Sequence, residues 1–216
     1  MRPHYSRDHS TKRSIVPIPW HLETPTMHIR KVCVGPLENN VYIVACAQTN
    51  QAVVIDAADE AERLIEEMSD VTPLAILTTH GHWDHVGAVE AVSQHYDIPF
   101  RLHPADQSIV ATPIDQPLST ETINVGDLSI QAVHAPGHTP GSTVFIVDGV
   151  VLTGDTLFPG GPGATQSPDA FSQIMETLDT SLFTLADETL VLPGHGLDTT
   201  IGTERPSLGA WRARGW

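Results

Sequence analysis

Three histidines and an aspartate crowd one short stretch of this 216-residue chain, Thr78-Thr79-His80-Gly81-His82-Trp83-Asp84-His85. Neighbours on one helical face lie three or four residues apart, so spacings of two, two and one cannot put all four side chains there. A turn leading from a strand into a helix can fan them around one point. Imidazole and carboxylate are ligands for zinc, iron or manganese, and packing four of them together without a cation has no structural benefit. Three more candidates stand beside glycine. A tight turn exposes His138 in Ala135-Pro136-Gly137-His138-Thr139-Pro140-Gly141. Asp155 follows the apolar run of Leu152-Thr153-Gly154-Asp155, and His195 ends Leu192-Pro193-Gly194-His195. Any one of these alone would be an ordinary loop residue. Together, four loops presenting His or Asp beside glycine make a constellation suited to metal ions.

Elements able to hold those loops recur along the chain. Apolar runs of strand length cover Ile29–Val34, Val41–Ala45, Ala52–Ile55, Leu74–Leu77, Leu128–Val133, Thr143–Val147, Val150–Leu152 and Thr189–Leu192. Helices are predicted over Ala58–Met68, over His85–Tyr96, where Val86, Val89 and Val92 recur at a spacing of three, and over Ala170–Leu178. Glycine and proline cluster in a loop at Phe158–Pro168. This pattern predicts sheets covered by helices in one domain over residues 27–216. Residues 1–26 are polar, proline-bearing and without periodicity, and are expected to form a poorly ordered N-terminal extension.

Hydrophobic residues at 40% and charged residues at 17% are ordinary for a globular chain. No apolar run reaches the roughly 18–20 residues that span a bilayer, and Pro17 and Pro19 interrupt any secretory core. A cytoplasmic protein without a membrane partner is expected. Residues 1–26 hold Arg2, Arg7, Lys12 and Arg13 against Asp8 and Glu23, a net of +2, so a total of −15 leaves −17 on the rest. Between Val32 and Glu204 the basic residues are Arg63 and Arg101 alone. Nucleic-acid binding needs clustered cations to neutralise phosphates, so it is excluded as an expectation. Cys33 and Cys46, each among apolar neighbours, read as buried strand residues and not as a redox pair.

In this order, His-x-His-x-Asp-His, Pro-Gly-His-Thr, Gly-Asp-Thr and Gly-His resemble the ligand series of the metallo-β-lactamase superfamily, from about Met27 to the C-terminus. The form Thr-His-x-His-Trp-Asp-His is similar to the glyoxalase II (hydroxyacylglutathione hydrolase) branch. The resemblance implies an αββα sandwich with two divalent metal ions per chain, zinc first, iron or manganese as alternatives. It implies that His80, His82 and His138 hold one ion, that Asp84, His85 and His195 hold the other, and that Asp155 bridges both. Asp56, after Val53-Val54-Ile55, matches a family aspartate that supports the ligand loop through hydrogen bonds. The implied enzyme is a binuclear metallohydrolase, a thioester hydrolase in which Asp84 orients a metal-bridging hydroxide. The alternatives are lactonases and the mononuclear-iron persulfide dioxygenases, which share the ligand positions. Those dioxygenases carry a Gly-Cys-Gly-Arg type sequence after the bridging aspartate, whereas Phe158-Pro159-Gly160-Gly161-Pro162-Gly163-Ala164-Thr165 follows here. Glyoxalase II anchors glutathione on basic residues of a C-terminal helical domain, and only 21 residues follow His195 in this chain. Arg205 and Arg212 of that tail, with Phe158, are therefore the substrate-binding candidates, and a small-molecule thioester or ester is the expected partner. His134, four residues before His138, is a candidate supporting residue; the remaining histidines read as surface or loop residues.

Overall fold

The computed structural model describes residues 17–216. The first half builds a seven-stranded sheet whose spatial order follows the chain: β1 (Leu22–Glu23), β2 (Met27–Val34), β3 (Asn39–Cys46), β4 (Gln51–Ile55), β5 (Thr72–Leu77), β6 (Phe100–Leu102) and β7 (Gln116–Pro117). Helices α1 (Ala61–Glu67), α2 (Trp83–Val86) and α3 (Val89–Tyr96) connect its parallel members. The second half supplies β8 (Glu121–Val125), β9 (Leu128–His134), β10 (Thr143–Val147) and β11 (Val150–Gly154), then a small ribbon of β12 (Leu157–Phe158) and β13 (Gly161–Pro162). After α4 (Pro168–Thr177) come β14 (Leu190–Pro193), β15 (Thr199–Thr200), α5 (Ile201–Glu204) and α6 (Leu208–Arg214). This sheet runs β15-β14-β11-β10-β9-β8, with β11 and β14 parallel.

Strand side chains alternate between faces, and here both faces are apolar. Tyr42, Val44 and Cys46 of β3 join Val53, Ile55, Phe145, Val147 and Leu152 in a core between the sheets. The intervening Val41, Ile43 and Ala45 pack under α1 and α3 with Leu64, Val89 and Val92. On the far side, Val144 and Val151 meet Ile174, Leu178 and Trp211 of the C-terminal half. The result is a four-layered αββα sandwich, the architecture the resemblance implies. No described helix is long and apolar enough to cross a membrane.

Several expectations change. The body does not begin at Met27. Leu22–Glu23 pairs antiparallel with Ile29–His28 of β2, and Ile18, Trp20 and Leu22 pack on the cores. Buried Arg30 explains this: its Nε donates to Ile18 O at 2.7 Å while its guanidinium lies 3.8 Å over the Trp20 ring. A poorly ordered extension is therefore wrong for residues 17–26, and residues 1–16 of that expectation lie outside the described residues. The helix expected over His85–Tyr96 is two, α2 and α3. Between them a Cβ on Gly87 would collide with Ala58 O, and Ala88 N donates to Ala57 O at 3.0 Å. Cys46 is buried as expected; Cys33 lies on an exposed position of β2.

Candidate metal centre

The parallel pairs β4/β5 and β11/β14 set the ends of four strands along one edge of the sandwich, and the loops leaving that edge carry the chemistry. Asp56 follows β4, His80 to His85 follow β5, Asp155 follows β11 and His195 follows β14. His138 comes from the β9–β10 loop. Hydrogen bonds tie the two sheets together there, Thr143 N to Thr79 O and Asn40 N to Gly194 O, both 2.7 Å. The Asn40 amide and the Tyr42 hydroxyl also donate to Pro193 O, at 3.0 and 2.8 Å, clamping the His195 loop onto β3. Glycine beside the ligands has a steric reason. A Cβ at Gly154 would overlap Thr79 Oγ1, and one at Gly194 would overlap Asp155 Oδ1 and His85 Cε1.

All seven residues singled out as ligands converge. The ligand atoms of His80, His82 and His138 form one group within 4.8 Å of one another, and those of Asp84, His85 and His195 form another. Asp155 stands between them: its Oδ2 is 3.7 Å from His138 Nε2, while its Oδ1 is 3.5 Å from His85 Nε2 and 3.7 Å from His195 Nε2.

The hydrogen-bond network settles which ring nitrogens face inward as lone pairs. Asp56 sits in the left-handed region at φ 59°, an unusual conformation for a residue other than glycine. Its carboxylate accepts from Thr79 N at 2.7 Å, from Thr79 Oγ1 at 2.8 Å and from His85 Nδ1 at 2.9 Å. With its proton given to Asp56, the Thr79 oxygen accepts from His80 Nδ1 at 3.0 Å. His138 Nδ1 donates to Ala164 O at 2.7 Å and His195 Nδ1 to Leu37 O at 3.0 Å. Four rings are thus held with Nδ1–H outward and the Nε2 lone pair inward. His82 presents Nδ1 instead, 3.0 Å from both His80 Nε2 and His138 Nε2.

Lone pairs and carboxylates crowded this way repel unless a cation lies among them. His85 Nε2 and Asp155 Oδ1 are buried without a hydrogen-bond partner, an arrangement that costs free energy in a dry site. Two ligands of one tetrahedral zinc, each about 2.05 Å from it, stand roughly 3.3 Å apart, and the contacts here run from 3.0 to 3.7 Å. Burial, then the neighbouring rings, push His80 and His82 below the usual imidazole range. Burial also acts downward on His85, but the carboxylates of Asp56, Asp155 and Asp84 outweigh it and hold it up to about 9. His80 and His82 thus resist protonation while the carboxylates around His85 favour positive charge there, and both directions fit bound cations.

Other residues enter that the sequence reading missed. Asn39 donates its amide to Asp84 Oδ2 at 2.9 Å; burial pushes the Asp84 carboxyl up, but this bond and the nearby rings bring it below its ordinary value. Fully buried Asp106, in a turn of 3-10 helix at Pro104–Ile109, accepts from Gly81 N at 2.9 Å, Thr139 Oγ1 at 2.7 Å and Gly141 N at 2.6 Å. Neither residue has a local signature, since each partner is distant in sequence.

The substrate candidates divide. The Phe158 ring lies 6.4 Å from that of His195, at the mouth of the centre. Arg205 is turned away, bound to Asp187 and to Leu185 O. Arg212 pairs with Asp179 at 2.9 Å. Both are thus paired with carboxylates of the acidic surface. His134 does not touch the ligands: it donates to Pro140 O at 2.8 Å and stacks on His103 at 4.0 Å.

A strand-end cluster of five histidines and two aspartates at one edge of an αββα sandwich defines a class of metalloproteins. The chain belongs to the metallo-beta-lactamase superfamily, whose sequence model matches residues 34–195. It is 33% identical over 205 residues to a hydroxyacylglutathione hydrolase, GloC, of Haemophilus influenzae, covering 84% of this chain and 96% of that protein. Among solved structures, TTHA1623 in a di-iron-bound form superposes with a TM-score of 0.71 at 34% identity, covering 82% of this chain and 96% of the other. ETHE1 from Myxococcus xanthus gives 0.72 at 30%, covering 82% and 81%.

Proposed function

We propose that the protein is a binuclear metallohydrolase of the glyoxalase II type that cleaves small thioesters. The observation carrying this reading is the pair of inward-facing ligand groups joined by Asp155, whose two oxygens turn one toward each group. His80, His82 and His138 would hold one divalent cation; Asp84, His85 and His195 the other. Cations held there would acidify a water, whose pKa would fall from about 15.7 toward neutrality, and would stabilise an oxyanion on a carbonyl. Asn39 holds Oδ2 of Asp84, the oxygen turned toward His85 and His195, and so fixes the carboxylate that would orient a water. Asp56 and Thr79 keep His80 and His85 in the tautomer that presents a lone pair. Apart from these residues, no carboxyl group is hydrogen-bonded to the cluster's side chains among the described residues. An alcohol or amine leaving group needs a proton, whereas a thiolate, with a conjugate-acid pKa of about 8.5, leaves without one. That asymmetry favours thioesters, and strained lactones after them, over unstrained amides.

Identity alone does not choose between family branches, because the likenesses to GloC and to ETHE1 are nearly equal. The loop after Asp155 supports the hydrolase reading. The test is metal analysis of metal-replete protein together with turnover of matched thioester, lactone and amide substrates. Two ions per chain and fastest cleavage of the thioester are expected. One ion at saturation, or iron-dependent oxygen uptake on a persulfide with no hydrolysis, overturns the reading.

A further inference from the structure

Exposed large apolar side chains are few among the described residues: Leu37, Trp83, Ile109, Leu197 and Trp216. Scattered singly such residues need no explanation, but gathered together they mark a binding surface. Each stands on a segment that carries or adjoins residues of the metal centre. Trp83, 69% exposed, lies between His82 and Asp84; Leu197, 79% exposed, follows His195 by two residues. The Leu37 carbonyl is the acceptor for His195 Nδ1. Ile109 lies against Gly81, and the Trp216 indole donates to Thr165 O at 3.1 Å, beside the Ala164 carbonyl that fixes His138. Pro36, Leu37 and Trp83 wall a cleft of about 110 Å³ that ends on Asn39 and Asp84. Its charged lining groups, Asp59 and Asp84, are both acidic.

Resting on the thioesterase reading, we propose that the substrate carries an uncharged, apolar acyl group, seated in the Pro36–Leu37–Trp83 cleft. Charge argues for the same occupant. Arg30, Lys31, Arg63, Arg101, Arg205 and Arg212 each pair with a carboxylate. Arg214 is the one basic side chain without an ion-pair partner among the described residues, and it lines a different cleft, with Phe171 and Trp216. An acyl carboxylate in the Trp83 cleft would meet Asp59 with no basic side chain in the lining to offset it. A protein partner is disfavoured by position: covering this cleft would shut the centre off from its substrate.

The experiment compares acetyl, butyryl, hexanoyl and succinyl esters of one neutral thiol, with the metal-loaded protein and with Trp83→Ser and Leu37→Ser, whose exposed positions leave folding intact. Metal content and oligomeric state are measured on each variant. A fully buried methylene is worth roughly fourfold, so four methylenes in an open cleft should raise kcat/KM about tenfold or more from acetyl to hexanoyl, mainly through KM. That gain should fall below about threefold in either variant, and succinyl should be the poorest substrate. A second readout is protection of Trp83 fluorescence from quenching by iodide when hexanoate binds, taken as the difference between the protein and Trp83→Phe. A flat chain-length series with robust cleavage overturns this inference and leaves the thioesterase reading standing; cleavage of none of the esters removes the reading itself. A preference for succinyl that is lost in Arg214→Ala, or a dimer that Trp83→Ser dissociates, also overturns it.

Discussion

Asp106 belongs to no histidine motif and has no glycine beside it, yet it receives hydrogen bonds from both ligand-bearing turns of the first metal group. Gly81 precedes His82, and Thr139 and Gly141 flank His138 on its C-terminal side. A buried carboxylate with three donors is an anchor of fixed geometry, because both oxygens only accept. In Asp106→Asn an amide NH2 replaces one acceptor and faces a backbone or hydroxyl donor. The loss should cost about 2–3 kcal/mol of stability, and the loosened His82 and His138 should bind metal about 10–100-fold more weakly. Competition with a chromophoric chelator measures that affinity. A dissociation constant within threefold of the parent's would show that the turns hold their geometry without Asp106.

At the scale of elements, the N-terminal strand matters beyond its two residues. Leu22–Glu23 covers the edge of β2, and the chain before it brings Ile18 N to Glu67 Oε2 at 2.7 Å and Trp20 onto Arg30. Arg30 and Glu67 are both buried, so removing the segment takes one hydrogen-bond partner from each, while Arg30 keeps its pair with Asp70. A chain shortened to begin at Met27 should melt roughly 5–15 °C lower, corresponding to about 3–5 kcal/mol for a domain of this size, with its metal stoichiometry retained. An unchanged melting temperature by calorimetry would mean that the segment rests on the body without stabilising it.

Across the whole molecule, the two ligand groups take residues from both sheets and so link the halves of the sandwich. Cations bound only by the folded chain stabilise it by mass action, about 4 kcal/mol at a concentration a thousandfold above the dissociation constant. Stripping the metal should therefore lower the melting temperature by on the order of 10 °C, and zinc, iron or manganese should restore it to different extents. Indifference of the melting curve to chelation and re-addition would contradict tight binding at this centre.

The ligand series was legible because its signal is local: histidine and aspartate beside glycine, at the ends of apolar runs that became β5, β11 and β14. Those glycines are required by close approaches that any side chain would block, so the requirement is written into the sequence itself. The two-sided cores were legible as apolar runs, although which residue faced which layer was not. Only the tertiary structure decided the rest. Asn40 reaches Pro193 across 153 residues, Asp106 reaches Gly141 across 35, and Arg30 reaches Asp70 across 40. Pairings of that span leave no periodic or neighbouring trace. For the same reason Arg205 and Arg212 read as free cations in the tail, while folding set each beside an aspartate of the acidic body.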